Sequence, residues 1–327
     1  MYEFWVASAD GLGRTRVGEG IQAQWSPGGT RVYITDTGGD CIPRLTSVMP
    51  DGTDAQAMPF DLRVGDGPFW WAPDGRHVAF MRYRDAVPCP YASVDVPSEP
   101  WVMNADGSEQ HRLAESGWPT WAPEGERLVL LGRSVAPVGG YISAPTTDVL
   151  SVVDLAGTVL ATIGPDARVV YDAPAWSPDG TRLAFGRWEG KLYAQVVVAN
   201  ADLTSLSPLT LAADEAFPGG QEWSPDGRVL LFLGTNNDEP DAWRPALWIV
   251  DTDGRDPRRL SPAGAFELAA TWSPSGTSIA VTRVGSAPGG LTPGILVLDT
   301  LGSTLAELGA GGYPSWQPVL RPLLDAR

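Results

Sequence analysis

Lysine is almost absent from this chain of 327 residues: Lys191 is the only one, and the other 22 of its 23 basic residues are arginines. Set against 39 Asp and Glu, they leave a net charge of −16. So acidic a chain is a poor match for a phosphate backbone, which excludes nucleic acid as a partner and argues against an anionic membrane surface. Cationic partners are electrostatically easier. Histidine is nearly as scarce. His77 and His111 fall in separate predicted strands, so neither an imidazole metal centre nor a Ser-His-Asp triad is expected. No Gly-x-Ser-x-Gly elbow occurs. Two cysteines, Cys41 and Cys89, cannot staple a chain of this length, so disulfides do not carry the fold. No apolar run approaches the roughly 18 residues of a membrane helix. The opening Met1-Tyr-Glu-Phe-Trp-Val has no basic segment followed by an apolar stretch, so no signal peptide is expected. The chain reads as cytoplasmic as written, or as periplasmic or extracellular if an export segment has been removed.

What the chain has in abundance is turn formers, with 38 Gly and 30 Pro, and a repeat. Trp-Ser/Ala-Pro-x-Gly, followed by a short β-rich run, recurs at Trp25, Trp71, Trp121, Trp176, Trp223 and Trp272, with a degraded copy at Trp316-Gln-Pro. The spacings are 46, 50, 55, 47, 49 and 44 residues, the size of one four-stranded propeller blade. Proline presets φ for the second position of a turn, and Asp and Gly suit the later ones, so each motif predicts a hairpin. The alternation after it, as in Arg182-Leu-Ala-Phe, predicts a half-buried strand. About 30 residues on, a second signal such as Trp101-Val-Met-Asn-Ala-Asp-Gly predicts a third strand, a tight turn and a short fourth strand.

The ends complete each other. Glu3-Phe-Trp-Val-Ala-Ser-Ala-Asp-Gly11 reads as a third strand with no first or second before it, and the Trp316 segment as a first and second strand with nothing after. The expected fold is therefore an all-β, seven-bladed propeller of four-stranded antiparallel blades. It forms one domain over residues 1–327, with N- and C-terminal strands sharing one blade so that no sheet edge is left free.

The Trp-Ser-Pro-Asp-Gly and Asn/Asp-Ala/Thr-Asp-Gly motifs resemble the WD-like propeller repeats of the bacterial TolB family over essentially the whole chain. The resemblance is specific for the fold. The α/β domain that precedes the propeller in the family's translocation member is missing, and the repeats number seven instead of six, which argues against that envelope role. The scarcity of histidine argues against extending the resemblance to propeller lyases with histidine clusters. The length leaves no room for the hydrolase domain of prolyl-oligopeptidase-like enzymes.

The seven motif tryptophans, and Trp5, Trp101 and Trp248 at one shared third-strand position, are assigned to packing. Trp70, Trp118, Trp188 and Trp243 stand outside the pattern. The face bearing the loops between second and third strands is elaborated by insertions at residues 84–99, 134–147 and 235–244, and irregular loops on a rigid scaffold are where function concentrates. Residues four or five positions before a motif Trp start the innermost strands at the channel mouth. The expected ligand-binding residues are Asp66, Trp118, Tyr141, Asp172, Glu267 and Tyr313, which combine flat aromatic surface with negative charge. The competing reading makes the carboxylates solvated turn residues and the aromatics loop caps. No metal site is expected: Asp251-Thr-Asp-Gly-Arg-Asp lacks the acidic twelfth residue of a calcium loop. No cofactor is expected either. The expected function is a non-catalytic binding or scaffold protein for a protein, peptide or small-molecule ligand, with a cationic one favoured by the charge. The alternative is a propeller lyase, cyclase or hydrolase with carboxylate or tyrosine acid–base groups at the mouth. Cys41 and Cys89 fall in equivalent loops of consecutive blades, either bonded, if their Cα atoms come within about 7 Å, or two unpaired thiols.

Overall fold

A computed structural model describes residues 1–83, 98–134, 147–166, 169–189, 193–209, 219–234, 244–287 and 290–318. Among them the regular structure is all strand, and no helix is long and apolar enough to cross a membrane. The first two strands, β1 (Tyr2–Ala7) and β2 (Arg14–Gly20), form a two-stranded sheet. Six four-stranded antiparallel blades follow. Blade one holds β3 (Gln22–Trp25), β4 (Val32–Thr37), β5 (Pro43–Val48) and β6 (Gln56–Ala57). Blade two holds β7 (Phe69–Trp71), β8 (His77–Tyr83), β9 (Ser98–Asn104) and β10 (His111–Arg112). Blade three holds β11 (Trp118–Trp121), β12 (Arg127–Ser134), β13 (Thr147–Asp154) and β14 (Val159–Ile163). Blade four holds β15 (Val169–Trp176), β16 (Arg182–Glu189), β17 (Tyr193–Asn200) and β18 (Ser207–Leu209). Blade five holds β19 (Gly219–Trp223), β20 (Val229–Gly234), β21 (Ala246–Asp251) and β22 (Arg258–Arg259). Blade six holds β23 (Glu267–Trp272), β24 (Ser278–Ala287), β25 (Gly290–Asp299) and β26 (Thr304–Ala310). The architecture is a β-propeller. Of the seven four-stranded blades expected, six are seen among the described residues, together with the two-stranded sheet of β1 and β2.

The motif turn is built as its residues demand. In blade four Gly180 N–H donates to Ser177 O, and Ser177 Oγ accepts from Arg182 N–H and donates to Asp179. The motif glycine sits at φ 67–77° in all six blades, a conformation costly for any residue with a Cβ.

Second strands depart from the expected half-burial. Val78, Ala79 and Phe80 are fully buried, as are Leu128 and Val129, Leu183, Ala184 and Phe185, and Leu230, Leu231 and Phe232. Each blade is packed on both faces by its neighbours, so both sides of its second strand are core, and alternation of polarity gives way to alternation of size. Alanines at 79 and 184 let one neighbour approach while Phe80 and Phe185 fill the other side.

The motif tryptophans tie consecutive blades. Trp71, Trp121, Trp176, Trp223 and Trp272 are buried, while Trp25 and Trp316 are half-buried. The indole N–H of Trp121 donates to Trp70 O (2.9 Å), that of Trp176 to Thr120 O (3.2 Å) and that of Trp223 to Ala175 O (3.0 Å), each time the carbonyl just before the preceding motif tryptophan. Trp316 repeats this with Thr271 O (3.1 Å), and Trp25 with Ser315 O (3.4 Å). Six residues after the tryptophan, Arg127 and Arg182 lay their guanidinium over Trp176 and Trp223 of the next blade, 4.9 and 4.6 Å from the ring centre. His77 holds the same place and stacks on Trp121, which gives it a packing role. First strands of neighbouring blades lie against one another, so they line the axis.

Candidate functional site at the inner strands

The carboxylates expected at the mouth are largely committed to arginines. Asp66 is buried; its two oxygens accept from Arg82 Nε (2.8 Å) and Nη2 (2.6 Å), and Arg63 N–H donates to the second. Arg82 is itself buried and lies 4.5 Å from the ring centre of Trp101. Glu267 is fully buried and accepts from Arg283 Nε (2.8 Å) and Ser261 Oγ (2.8 Å). These are neither open ligand groups nor solvated turns: each pairs with an arginine 16 residues on, across the hairpin of its first and second strands. Asp172 is half-buried on β15, opposite Gly186, at a bulge where Ala173 takes φ 42°. Tyr313 is 77 % exposed, and its backbone N–H donates to Thr282 Oγ1 (2.9 Å). Tyr141, Trp243 and the greater part of the three insertions lie outside the described residues, as does the side chain of Trp188.

Trp118 opens β11 with half its surface exposed (51 %) and meets Trp70 of blade two edge to face, ring centres 5.8 Å apart at 88°. Two tryptophans from outside the repeat thus meet on adjacent innermost strands, and one of them faces solvent. Leu268, beside Glu267, is also exposed.

One further inner carboxyl stands apart from the expected mouth residues. Glu222, immediately before Trp223, accepts at Oε1 from Thr271 Oγ1 (3.1 Å) and from the backbone N–H of Trp272 (3.3 Å). Part of its surface is open, yet burial pushes the carboxyl up to about 7, with the bonds from Trp272 and Thr271 pulling the other way. Beside it Gln221 is buried, and neither of its amide atoms has a hydrogen-bond partner among the described residues. The residues before the seven motif tryptophans are Gln24, Trp70, Thr120, Ala175, Glu222, Thr271 and Ser315. Glu222 is the one ionisable residue among them, a signal present in the repeat alignment itself.

Cys41 is disulfide-bonded. The chain's other cysteine, Cys89, lies outside the described residues.

No family model matches the chain. A TolB homologue of Chlorobium luteolum is 30% identical over 135 residues, 41% of this chain and 27% of that protein. An uncharacterised peptidase, YuxL of Bacillus subtilis, is 30% identical over 119 residues, 36% of this chain and 18% of the peptidase. The matches thus span less than a third of the length of these relatives. Among solved structures, a puromycin-hydrolysing peptidase of Mycobacterium tuberculosis superposes with TM-score 0.65 at 16% identity, over 93% of this chain and 49% of that one. An oligogalacturonate lyase in complex with manganese gives 0.63 at 15%, over 94% and 85%. TolB of Acinetobacter baumannii gives 0.55 at 14%, over 84% and 62%. The expectation of a non-catalytic binding or scaffold protein is corrected by these names: a peptidase relative, and a peptidase and a lyase among the fold neighbours, favour the enzyme alternative. By its repeats and its blade architecture, the chain is a TolB-like β-propeller.

Proposed function

We propose that this propeller is an acid–base enzyme, a hydrolase or lyase working at the inner strands, with Glu222 as the proton-transfer group. The observation that supports it is the state of that carboxyl. It stands on an innermost strand with Oε1 held by two donors, and a value near 7 lets it give or take a proton at neutral pH. The ion-paired Asp66 and Glu267 serve to hold the blades, while Trp118 and Trp70 offer a flat surface for a substrate ring or apolar group. The lyase structure is described with manganese. Among the described residues here no group of three or more His, Cys, Asp or Glu could hold a metal ion, so no step runs through one. The charge of −16 favours a neutral or cationic substrate over a polyanion. The test is turnover of aminoacyl and peptidyl amides with a free amine, and of oligogalacturonides, across pH 5 to 9. Activity on the cationic amides, with a limb near pH 7 that Glu222→Gln abolishes, is expected. Undiminished turnover by a folded Glu222→Gln variant would refute the assignment.

We further infer that the ring closes as a seven-bladed, single domain, with β1 and β2 as the outer half of a seventh blade. Supporting this, Trp316 and Trp25 make the same indole–carbonyl bond to their neighbours as the motif tryptophans of blades three to five. Gln317 Nε2 also donates to Gly29 O (2.6 Å). The hairpin of β1 and β2 has blade six on one side, where Gly11 lies against Leu308, and blade one on the other, where Gly18 lies against Ile34. The expected second strand of that blade begins at Val319, outside the described residues.

A further inference from the structure

Indole rings in this molecule are repeatedly covered by the chain's own guanidinium groups. Arg127 lies over Trp176, Arg182 over Trp223, Arg82 over Trp101 and Arg14 over Trp5, with the guanidinium carbon 4.5 to 5.1 Å from the ring centre. The face of an indole carries the negative part of its quadrupole and attracts a cation held against it. Guanidinium suits that place because it is planar, always charged and more weakly hydrated than an ammonium. Two tryptophans are exposed among the described residues, and they differ in this respect. Trp5 has Arg14 over its ring. Trp118 is the more open, at 51% against 45%, and among the described residues no cation lies over it. Its ring partner is Trp70, set at 88° to it.

We propose that the corner between Trp70 and Trp118 is a cation site, which takes the guanidinium of an arginine side chain supplied by a ligand. The arrangement has a precedent within the chain. Arg82 stands 5.0 and 4.5 Å from the ring centres of Phe80 and Trp101, and those centres are 6.4 Å apart. The centres of Trp70 and Trp118 are 5.8 Å apart, close to the same spacing, but here one ring is open to solvent. Charge selects the occupant. For an apolar group the corner supplies contact area alone. For a guanidinium it adds the attraction of the ring faces, and the net charge of −16 adds a field that draws cations and repels anions. Trp118 opens β11 and Trp70 lies on β7, so the corner joins two adjacent innermost strands. The site rests on these two rings and stands independently of Glu222 as the proton-transfer group.

Ligand-observed NMR titration with three probes tests this: Nα-acetyl-arginine amide, its neutral isostere Nα-acetyl-citrulline amide, and Nα-acetyl-lysine amide. The titration reads binding and not turnover, so its outcome is separate from that of the Glu222 assignment. The arginine amide should bind about tenfold more tightly than the citrulline amide. It should also bind more tightly than the lysine amide, whose ammonium gives up its water less readily. Trp118→Leu keeps apolar bulk but removes the ring, and should abolish the preference for arginine over citrulline. Trp118→Phe restores a smaller ring and should recover part of that preference. Because Trp118 is half exposed, both variants should keep the melting temperature of the wild type. Diffuse attraction to an acidic surface would favour arginine and lysine alike and would ignore Trp118→Leu. No binding of the arginine amide, equal binding of arginine and citrulline, equal binding of arginine and lysine, or a preference untouched by Trp118→Leu would each overturn the inference.

Discussion

Gln24 and Glu222 hold the same place, one residue before a motif tryptophan, and each offers a side-chain oxygen to the backbone N–H of the next one, Trp71 at 3.4 Å and Trp272 at 3.3 Å. An amide does this without titrating. The Glu222 carboxyl is pushed up to about 7 by burial, from an ordinary 4.5. Below pH 4.5 it is protonated whether the chain is folded or not. Between 4.5 and 7 the unfolded chain ionises first, so the stability contributed by the neutral form is lost as pH rises through the folded value. The span from 4.5 to about 7, at about 1.4 kcal/mol per pH unit, puts that loss at about 3.5 kcal/mol. Glu222→Gln should remove it: the variant gains on the wild type progressively from pH 4.5 to 7 and keeps a constant lead above, as urea denaturation at stepped pH would show. A variant that tracks the wild type at every pH would mean the carboxyl is not withdrawn from water. The tryptophans divide in the same way. Trp176→Ala opens a cavity in the core and should cost about 3–5 kcal/mol. Trp118→Ala, half exposed, should leave the melting temperature nearly unchanged and weaken substrate binding. The motif tryptophans were legible because spacing alone identifies them. Glu222 is harder to read because the repeat predicts a mouth at the strand starts, whereas this carboxyl stands at the end of its strand, next to Trp223.

At the level of strands, the sequence shows where hairpins turn but not which side chains reach across them. Asp66 and Glu267 read as mouth carboxylates because Arg82 and Arg283 stand 16 residues on, beyond the turn. The pairing appears only when first and second strands are laid side by side. The second strands look half-buried in the sequence for a related reason: a blade's two faces look alike in one dimension, and only stacking makes both of them core. Arg82→Met should leave Asp66 buried without its partner and cost about 3–5 kcal/mol. Adding Asp66→Leu should recover much of that loss, because the isolated charge, not the missing pair, carries the penalty. Denaturation midpoints for the two single variants and the double would give the coupling. Additive losses would show that Asp66 is solvated.

At the level of the whole ring, most of the architecture was legible, since a repeat of nearly constant length leaves few other ways to bury its apolar strands. The seam was harder to read because its strands are distant in sequence and the repeat degrades there. Trp25 and Trp316, which flank it, are half-buried where the five tryptophans between them are buried. Because Cys41 is bonded, the denatured, unreduced protein should show no reactive thiol; two reactive groups would exclude the bond. The closure itself can be tested by deleting residues 1–18. That removes β1 and most of β2, and uncovers Val32 and Ile34, which pack against Phe4 and Val6 in one apolar cluster. If the hairpin is part of a closed ring, the deletion opens a sheet edge and a core face together, and the variant should melt lower and aggregate on concentration. Trp25→Phe is the finer probe. It keeps the ring and its packing but loses the indole bond to Ser315 O, so it should destabilise by about 1 kcal/mol if that bond is made. A deletion variant with an unchanged melting temperature and full solubility would show that β1 and β2 stand outside the ring.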